Sequence, residues 1–337
     1  MSAVPGQASV AVLGAGSWGT ALAIHLARQG RAVCLWGRDA AAMAAMAEAG
    51  CNHRYLPDAL FPPGLETTAD LDAALRRADA CLVAVPSHAF REVLVALAPY
   101  RSDGRPLIWA TKGLEEHSGQ WLHQVVADEL GVNYPCAVLS GPSFAKEVAR
   151  GLPTALTVAS VTPGVAERVA EWFHGECMRV YLSDDVLGVQ LGGAFKNVLA
   201  IAAGISDGLG FGANARAALI TRGLAELMRL GEAAGARPET VMGLSGLGDL
   251  VLTCTDDQSR NRRLGLALGR GEDLDTALTQ IGQAVEGART ARMAVSKAAE
   301  FGVDMPICHQ VHRVLYTGVS TIEAVGELLG RDQKPEF

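Results

Sequence analysis

This sequence has no CxxC motif, no excess of basic residues and no basic segment near its start. Its seven cysteines are odd in number and lie far apart, so we expect neither a disulfide framework nor a zinc ribbon, and no metal site. Unpaired thiols favour a reducing compartment. No lysine or arginine precedes Arg28, and glycines interrupt the first apolar stretch, which is unlike a secretory signal. We therefore predict a cytoplasmic protein.

The sequence also lacks an excess of positive charge, because acidic residues outnumber basic ones and the formal net charge is −7 over 337 residues. An acidic balance disfavours broad electrostatic attraction to nucleic acid or to anionic lipid, so no nucleic-acid partner is expected. The sequence shows no repeats and no low-complexity linker, and its length is sufficient for two domains with substantial cores. An anionic small-molecule substrate would therefore need a local basic cluster.

The sequence contains one apolar run long enough to consider as a membrane span, residues 186–205, and Lys196 is its single charged residue. A lysine at the centre of a bilayer would cost roughly 2.5–3.5 kcal/mol, so a buried helix without stable membrane insertion is favoured. On a helix, the residues that share the face of Lys196 are small: Gly192, Gly193, Ala200 and Ala203. We therefore expect the lysine to lie in a groove that other backbone can approach closely.

Short β-rich runs alternate with helical segments up to about residue 182. The runs are 9–13, 32–36, 80–85, 107–110, 136–140, 155–159 and 178–182, and the helical segments include 18–29, 88–97, 120–130 and 163–173. Alternation of this kind, with strands that are apolar almost throughout, predicts an α/β fold with a doubly wound, mostly parallel sheet covered by helices on both faces.

The strand pattern then stops, and Ala/Leu/Gly-rich helices are predicted over 186–205, 214–234, 259–269, 288–301, 306–316 and 320–329. The segment 183–185 reads SDD and can cap the first of these helices. We therefore predict a sheet domain over 1–183 and an all-α domain over 184–337.

A glycine-rich turn follows the first strand and opens the first helix. It has the spacing Gly14-x-Gly16-x-x-Gly19. In such a turn the first glycine permits the tight bend, the second lets a pyrophosphate approach the backbone, and the third lets the helix pack on the strand. The alternative is a plain tight turn, but the strand–turn–helix context favours a Rossmann-type dinucleotide site.

The second strand ends in CLWGRD, which bears on the choice of dinucleotide. NAD sites usually carry an acidic residue at this tip for the ribose 2′-hydroxyl, whereas Arg38 can pair with a 2′-phosphate. NADP(H) is therefore preferred, and the adjacent Asp39 keeps NAD(H) open. The alternative for Arg38 is a solvated surface arginine.

Polar residues follow two later strands, where a doubly wound sheet binds its ligands. Lys112 follows the strand at 107–110, and Gly141 and Ser143 follow the strand at 136–140. They offer an ammonium, backbone amides and a hydroxyl. The alternatives are a surface lysine and, for Ser143, a helix N-cap.

The predicted helical domain contains the required basic cluster. Asp249 precedes the run SRNRR at 259–263, and a helix that begins near Ser259 would place Arg260 and Asn261 in its first turn. Arginine there opposes the helix dipole unless an anion binds, so a phosphate pocket is predicted. A solvated basic turn is the alternative, and Arg262 and Arg263 are interpreted as surface charges.

Taken with GAGSWGTALA, ATKGLE, SGPSFAKEVA and GGAFKNVLAIAAGI, these motifs resemble the bacterial type of NAD(P)-dependent glycerol-3-phosphate dehydrogenase. The resemblance covers nearly the whole chain. It implies interconversion of dihydroxyacetone phosphate and sn-glycerol 3-phosphate, with the product supplied to glycerophospholipid synthesis. A homodimer is left open.

The resemblance also implies roles for individual residues. Lys196 would be the general acid/base, with Lys112 and Asp249 beside the reacting centre. The substrate would be held by these three and by Gly141, Ser143, Ser259, Arg260 and Asn261. The cofactor site would add to the three glycines Ser17, Trp18, Arg38, Lys112, Ala145, Arg260, Ala284 and Glu286, with Ala284 standing where the family often has valine.

Reduction of a ketone needs a hydride from the cofactor and a proton for the new alkoxide. We expect desolvation and the like charge of Lys112 to lower the pKa of Lys196 from about 10.4 toward neutrality. The alternatives are a lysine that snorkels out of a core helix and a buried structural ion pair with Asp249. For the whole protein, they are a β-hydroxyacid dehydrogenase-like reductase and a non-enzymatic NADPH sensor.

Overall fold

The computed structural model describes residues 8–100, 104–333 and 335, and the chain forms two compact units, Met1–Gln190 and Leu191–Phe337. A long helix, Val186–Gly208, begins in the first unit and continues into the second. The Asp185 carboxylate accepts a hydrogen bond from Gly188 N at 2.8 Å, so the SDD segment does cap this helix. The domain boundary between 183 and 184 stays a prediction.

The first unit is built on an eight-stranded sheet with the order β10-β9-β8-β7-β6-β1-β2-β5. All neighbours in it are parallel except β8 and β9. A separate antiparallel pair is formed by β3 and β4. The strands are β1 (Ser9–Leu13), β2 (Ala32–Trp36), β3 (Cys51–Asn52), β4 (Leu56–Leu60), β5 (Leu65–Thr68), β6 (Ala80–Val83), β7 (Leu107–Trp109), β8 (Cys136–Ser140), β9 (Thr154–Ala159) and β10 (Met178–Ser183).

Helices cover both faces of this sheet. They are α1 (Ser17–Arg28), α2 (Ala40–Ala49), α3 (Leu71–Arg76), α4 (Phe90–Leu97), α5 (Leu122–Leu130), α6 (Ala145–Arg150) and α7 (Val165–Phe173). Alternate residues of β1 enter different cores: Val10 and Val12 pack with α1 and α7, whereas Ala11 and Leu13 pack with α4 and α5. Burial on both faces explains the continuous apolar strands and confirms the doubly wound fold.

The sheet contains elements that the sequence did not predict. β5 carries one apolar residue among four and lies at the edge of the sheet, where pairing with β2 needs little hydrophobic burial. The antiparallel direction of β9 was also missed, since a buried strand shows the same apolar run in either direction. The sheet is therefore mostly parallel, as predicted, with one antiparallel pair, β8 and β9.

The second unit is helical. After α8 (Val186–Gly208) it contains α9 (Gly212–Ala234), α10 (Pro238–Val241), a π-helical turn (Leu244–Gly248), α11 (Asp249–Thr255), α12 (Arg260–Gly269), α13 (Leu274–Ile281), α14 (Glu286–Phe301), α15 (Pro306–Tyr316) and α16 (Thr321–Leu329). The short helices α10, α11 and α13 and the π-helical turn were not predicted. Among the described residues, α8 is the one helix long and apolar enough to span a membrane, and 94% of its most apolar window is buried.

Candidate active site

The geometry of the turn between β1 and α1 explains why glycine stands at its three positions. Gly14 has φ +121°, and a Cβ there would lie 2.8 Å from Ala84 O. A Cβ on Gly19 would lie 1.9 Å from Gly14 O, so the helix and the turn are in backbone contact. At Gly16 a Cβ would meet nothing within 4 Å. The open side of the turn is therefore at its second glycine, where a pyrophosphate would approach.

The N-terminus of α1 has no side-chain cap, because its N-cap residue is Gly16 and its first turn contains no acidic residue. Ser17 and Trp18 are the first two residues of this helix. The Trp18 Nε1 atom is buried and makes no hydrogen bond. Uncapped backbone N–H groups and an unused indole donor fit an anionic ligand with polar groups, so the residues present fit a dinucleotide.

Asn52 supports this turn from the β3–β4 pair. Its side-chain amide donates to Ala15 O at 3.1 Å and to Thr20 Oγ1 at 2.8 Å, and the residue is fully buried. Asn52 was not predicted as a site residue. Its place 37 residues beyond Ala15 gave no local signal.

At the tip of β2, the acidic and basic residues have different roles. Asp39 is the N-cap of α2, and its carboxylate accepts from Ala42 N at 3.0 Å. Arg38 lies 3.8 Å from Glu92 across an ion pair in which both side chains are 70% exposed. Such an exposed pair is weak, so the guanidinium can exchange Glu92 for a phosphate at little cost.

Three residues after the ends of β7 and β8 come together. Lys112 Nζ donates to Gly141 O at 3.2 Å, and Ser143 Oγ donates to the same carbonyl at 3.1 Å. Gly141 has φ +149°, and a Cβ there would lie 3.0 Å from Ala155 O. Phe144, not Ser143, is the N-cap of α6, which begins at Ala145. The N-cap alternative for Ser143 is therefore wrong.

In the helical unit, Lys196 lies in a buried polar cluster. Its Nζ donates to the Asp249 carboxylate and, at 2.8 Å, to Thr253 Oγ1. The Thr253 hydroxyl donates to Asp249 O at 2.6 Å, so its lone pairs are directed to the ammonium. Lys196 is 7% exposed and Asp249 is fully buried. Lys196 therefore does not snorkel out of the core.

Cys254, the residue after Thr253, is also fully buried. Burial raises the pKa of Cys254 to about 12, although the positive charges of Lys196 and Arg262 act in the opposite direction. A site that excludes water strengthens charge interactions inside it. Lys196 and Asp249 thus compensate each other's charge in a buried site.

Small residues beside Lys196 explain how Asp249 reaches it. A Cβ on Gly192, one turn before Lys196, would lie 2.4 Å from Ser245 O in the π-helical turn. A Cβ on Gly246 would lie 1.9 Å from Val241 O. The π-helical turn therefore packs directly on the α8 backbone and delivers the start of α11, with Asp249, beside the lysine. π-Helical turns are frequent at functional sites.

The basic cluster begins a helix where the sequence predicted. Ser259 is the N-cap of α12, and its hydroxyl accepts from Arg262 N at 3.2 Å. Arg260 is half-buried and donates to Gln283 Oε1 at 3.2 Å, next to Ala284. Glu286 is the first residue of α14. Within this unit, the structure thus brings Arg260 next to the 283–286 segment.

Asn261 connects three helices. Its Nδ2 donates to Asn197 Oδ1 on α8 at 2.9 Å, and its Oδ1 accepts from Gly287 N on α14 at 2.9 Å. Asn197 is the residue after Lys196, so one amide pair links the lysine's helix to the start of α12. Asn197 and Thr253 were not predicted as site residues. Two sequence signals for them were available: Asn197 directly follows Lys196, and Thr253 lies one helical turn after Asp249.

One interpretation from the sequence is wrong. Arg262 is not a surface charge, because its side chain is 10% exposed and forms an ion pair with Asp207 at 2.7 Å. Arg263, its neighbour, is exposed as expected. Helical rotation explains the difference, since consecutive residues point about 100° apart and only Arg262 is directed at α8.

Known proteins match both units. Models of the NAD-dependent glycerol-3-phosphate dehydrogenase N-terminus and C-terminus match residues 9–166 and 185–326. The chain is 87% identical to the protein of Thioalkalivibrio sulfidiphilus named glycerol-3-phosphate dehydrogenase, NAD(P)+, over 98% of this chain and 99% of that one. It is 60% identical to the protein of that name from Nitrosococcus oceani, over 97% and 95% of the two chains.

The fold agrees with these matches. The crystal structure of glycerol-3-phosphate dehydrogenase from Coxiella burnetii has a TM-score of 0.94 and 50% identity, over 97% of this chain and 100% of that one. Both the sheet unit and the helical unit thus have counterparts in one enzyme. This chain belongs to the NAD-dependent glycerol-3-phosphate dehydrogenase family.

Proposed function

We propose that this protein interconverts dihydroxyacetone phosphate and sn-glycerol 3-phosphate with NAD(P)H and supplies glycerol 3-phosphate for glycerophospholipid synthesis. The observation that carries the proposal is the buried cluster of Lys196, Asp249 and Thr253. A ketone reductase needs a positioned proton donor, and this cluster holds an ammonium proton in a water-poor site.

Lys196 is the general acid in reduction and the general base in oxidation. Thr253 uses its own proton on Asp249 O, so it accepts from Nζ and fixes the direction of the side chain. The Asp249 carboxylate keeps the ammonium charge compensated without solvent. The bound nicotinamide supplies the hydride, and the lysine supplies the proton for the oxygen that becomes the alcohol.

Two groups of residues bind the substrate. The start of α12 offers Ser259, Arg260, Asn261 and backbone N–H groups to the phosphate, because an anion there relieves the unfavourable placement of cations at a helix N-terminus. Lys112, Gly141 and Ser143, which meet at one carbonyl in the sheet unit, contact the triose.

The cofactor is held by the Gly14–Gly19 turn, with Ser17 and Trp18 at the start of α1. Lys112, Ala145, Arg260, Ala284 and Glu286 complete its contacts. Arg38 favours NADP(H), since its ion pair with Glu92 is exposed and Asp39 is engaged as an N-cap. NAD(H) remains a second cofactor.

The protein acts in the cytoplasm on small molecules, without stable membrane insertion, and a homodimer is its proposed oligomer. Light scattering on the purified chain measures the oligomeric state. Activity is tested by following the oxidation of NADPH with dihydroxyacetone phosphate, with dihydroxyacetone and with a β-keto acid.

Fast turnover with the phosphorylated triose alone is the expected result. Turnover with the β-keto acid alone would instead favour a β-hydroxyacid dehydrogenase-like reductase. Tight binding of NADPH without turnover of any of the three would favour a sensor. Either outcome contradicts the proposal.

A further inference from the structure

Helices α8 and α12 touch through their backbones. A Cβ on Gly204 would lie 2.1 Å from Arg262 O, and a Cβ on Gly265 would lie 2.1 Å from Ile201 O. One turn on, the Cβ positions of Gly208 and Gly269 would lie 2.6 Å from Leu266 O and 2.5 Å from Ile205 O. Two glycine pairs at i, i+4 spacing therefore leave no room for a side chain between the helices.

A network of ion pairs lies at the same contact between α8 and α12. Arg262 Nη1 lies 2.7 Å from Asp207 Oδ2 on α8, and Arg262 Nε lies 3.1 Å from Asp257 Oδ1 in the loop before α12. Arg216 of α9 lies 2.7 Å from the same Asp207 oxygen. The Asp207 and Arg262 side chains are 9% and 10% exposed. The Asp207–Arg262 pair is therefore buried, whereas the Asp257 side chain is 69% exposed.

Arg262 lies two residues after Arg260, in the first turn of α12. A cation there opposes the helix dipole, and here two carboxylates from outside the helix compensate it. Arg262 is thus committed to protein carboxylates, whereas Arg260 donates to the neutral side chain of Gln283. Two arginines of one motif therefore have separate tasks.

We propose that the Asp207–Arg262 ion pair positions the phosphate pocket for the reaction at Lys196. α8 carries both Lys196 and Asp207, and α12 carries both Arg262 and Arg260, so the pair and the glycine contact fix the distance between the reacting centre and the phosphate site. The inference rests on the proposed function, and Arg262 acts through α12 rather than by touching the substrate.

Arg262→Met in the full chain tests this, with Arg263→Met as the matched control. Arg263 is the next residue, carries the same charge and is exposed. In Arg262→Met, α12 should carry Arg260 away from its position at the phosphate, and KM for dihydroxyacetone phosphate should rise about tenfold or more. In enzymes, misplacing a positioned group by about 1 Å can cost up to 100-fold in activity. kcat/KM for dihydroxyacetone, which lacks the phosphate, should change by less than about threefold. Arg263→Met should match the wild type.

Asp207→Asn removes the other half of the pair. It should raise KM for dihydroxyacetone phosphate in the same direction, and the double variant should be no worse than Arg262→Met alone, because the two residues act as one unit. Arg262→Lys, which can keep one ion pair with Asp207, should restore part of the loss. If Arg262→Met does not fold, Asp207→Asn and Arg262→Lys test the proposal instead, by the same comparison of KM for dihydroxyacetone phosphate with kcat/KM for dihydroxyacetone.

Two results would overturn the positioning role. A fall in kcat that is equal for both substrates, with KM unchanged, would mean only that less enzyme is folded. An equal rise in KM in Arg263→Met would mean a diffuse charge effect. A wild-type enzyme that does not distinguish the two substrates, or an Arg260→Ala variant without effect, would instead contradict the proposed phosphate pocket itself.

Discussion

Replacing Lys196 by methionine tests whether the buried pair is catalytic or only structural. The substitution leaves the fully buried Asp249 carboxylate without its ammonium. Removing one partner of such a pair costs about 3–5 kcal/mol of folding free energy. Loss of general acid/base help should lower kcat by roughly 100-fold to 10,000-fold. A single variant therefore combines two effects that have to be separated.

The double variant Lys196→Met/Asp249→Leu separates them. Replacing a buried ion pair by apolar residues of similar volume is often neutral or stabilising, so the free energy of unfolding should return close to that of the wild type. Turnover should stay lost, because no side chain then holds the proton. Urea unfolding measures the first quantity, and NADPH oxidation with saturating dihydroxyacetone phosphate measures the second.

A second buried lysine gives the control. Lys297 of α14 is 7% exposed and pairs with Glu300 at 2.8 Å. Lys297→Met should lower stability while the folded enzyme keeps its kcat. Recovery of turnover together with stability in the double variant would refute the role given to Lys196 and leave the pair a purely structural one.

Arg260→Ala should raise KM for dihydroxyacetone phosphate by about tenfold or more and leave dihydroxyacetone nearly unaffected, because only the phosphate loses a charge-assisted contact; steady-state kinetics with both substrates measure this. Arg38→Ala should reduce the preference for NADPH over NADH, and an unchanged ratio of the two dissociation constants would contradict its role. Burial raises the pKa of Glu226 from 4.5 to about 7, against hydrogen bonds from Ile307 N and Cys308 N. The folded state then keeps a proton that the unfolded state loses, so stability should fall by roughly 3 kcal/mol between pH 4.5 and 7. Urea unfolding of Glu226→Gln across this range should lack that slope, and equal slopes in variant and wild type would contradict it.

Features encoded by local pattern were predictable from the sequence. The Gly14–Gly19 turn follows a strand and opens a helix, and Ser259 caps a helix, both as predicted. The rule that parallel strands end at one edge singled out Lys112, Gly141 and Ser143, which meet at one carbonyl in the structure. To predict each of these features, it is enough to know a short segment of sequence or the order of strands and helices.

Features that depend on which helix faces which were not predictable in the same way. Thr253 contacts Lys196 because a π-helical turn places α11 beside α8, and no local signal announces that turn. The burial of Arg262 had a weak signal, since Gly265 and Gly269 share its face of α12. Recognising it required the partner glycines on α8, which lie about 60 residues earlier.

The glycines of α8 explain why an apolar helix carries a single lysine. Gly192, Lys196, Ala200, Gly204 and Gly208 follow one another at i, i+4 spacing and form a row that winds around the helix. Each glycine destabilises an isolated helix by about 1 kcal/mol relative to alanine, so this row is unfavourable for the helix itself. The close approach it permits is the offsetting gain: the π-helical turn contacts Gly192, and α12 contacts Gly204 and Gly208. A substitution to alanine at Gly192 would improve helix propensity and yet push away the segment that delivers Asp249. Lys196 therefore lies on a helix that other backbone segments approach closely, and they can do so because glycine has no side chain.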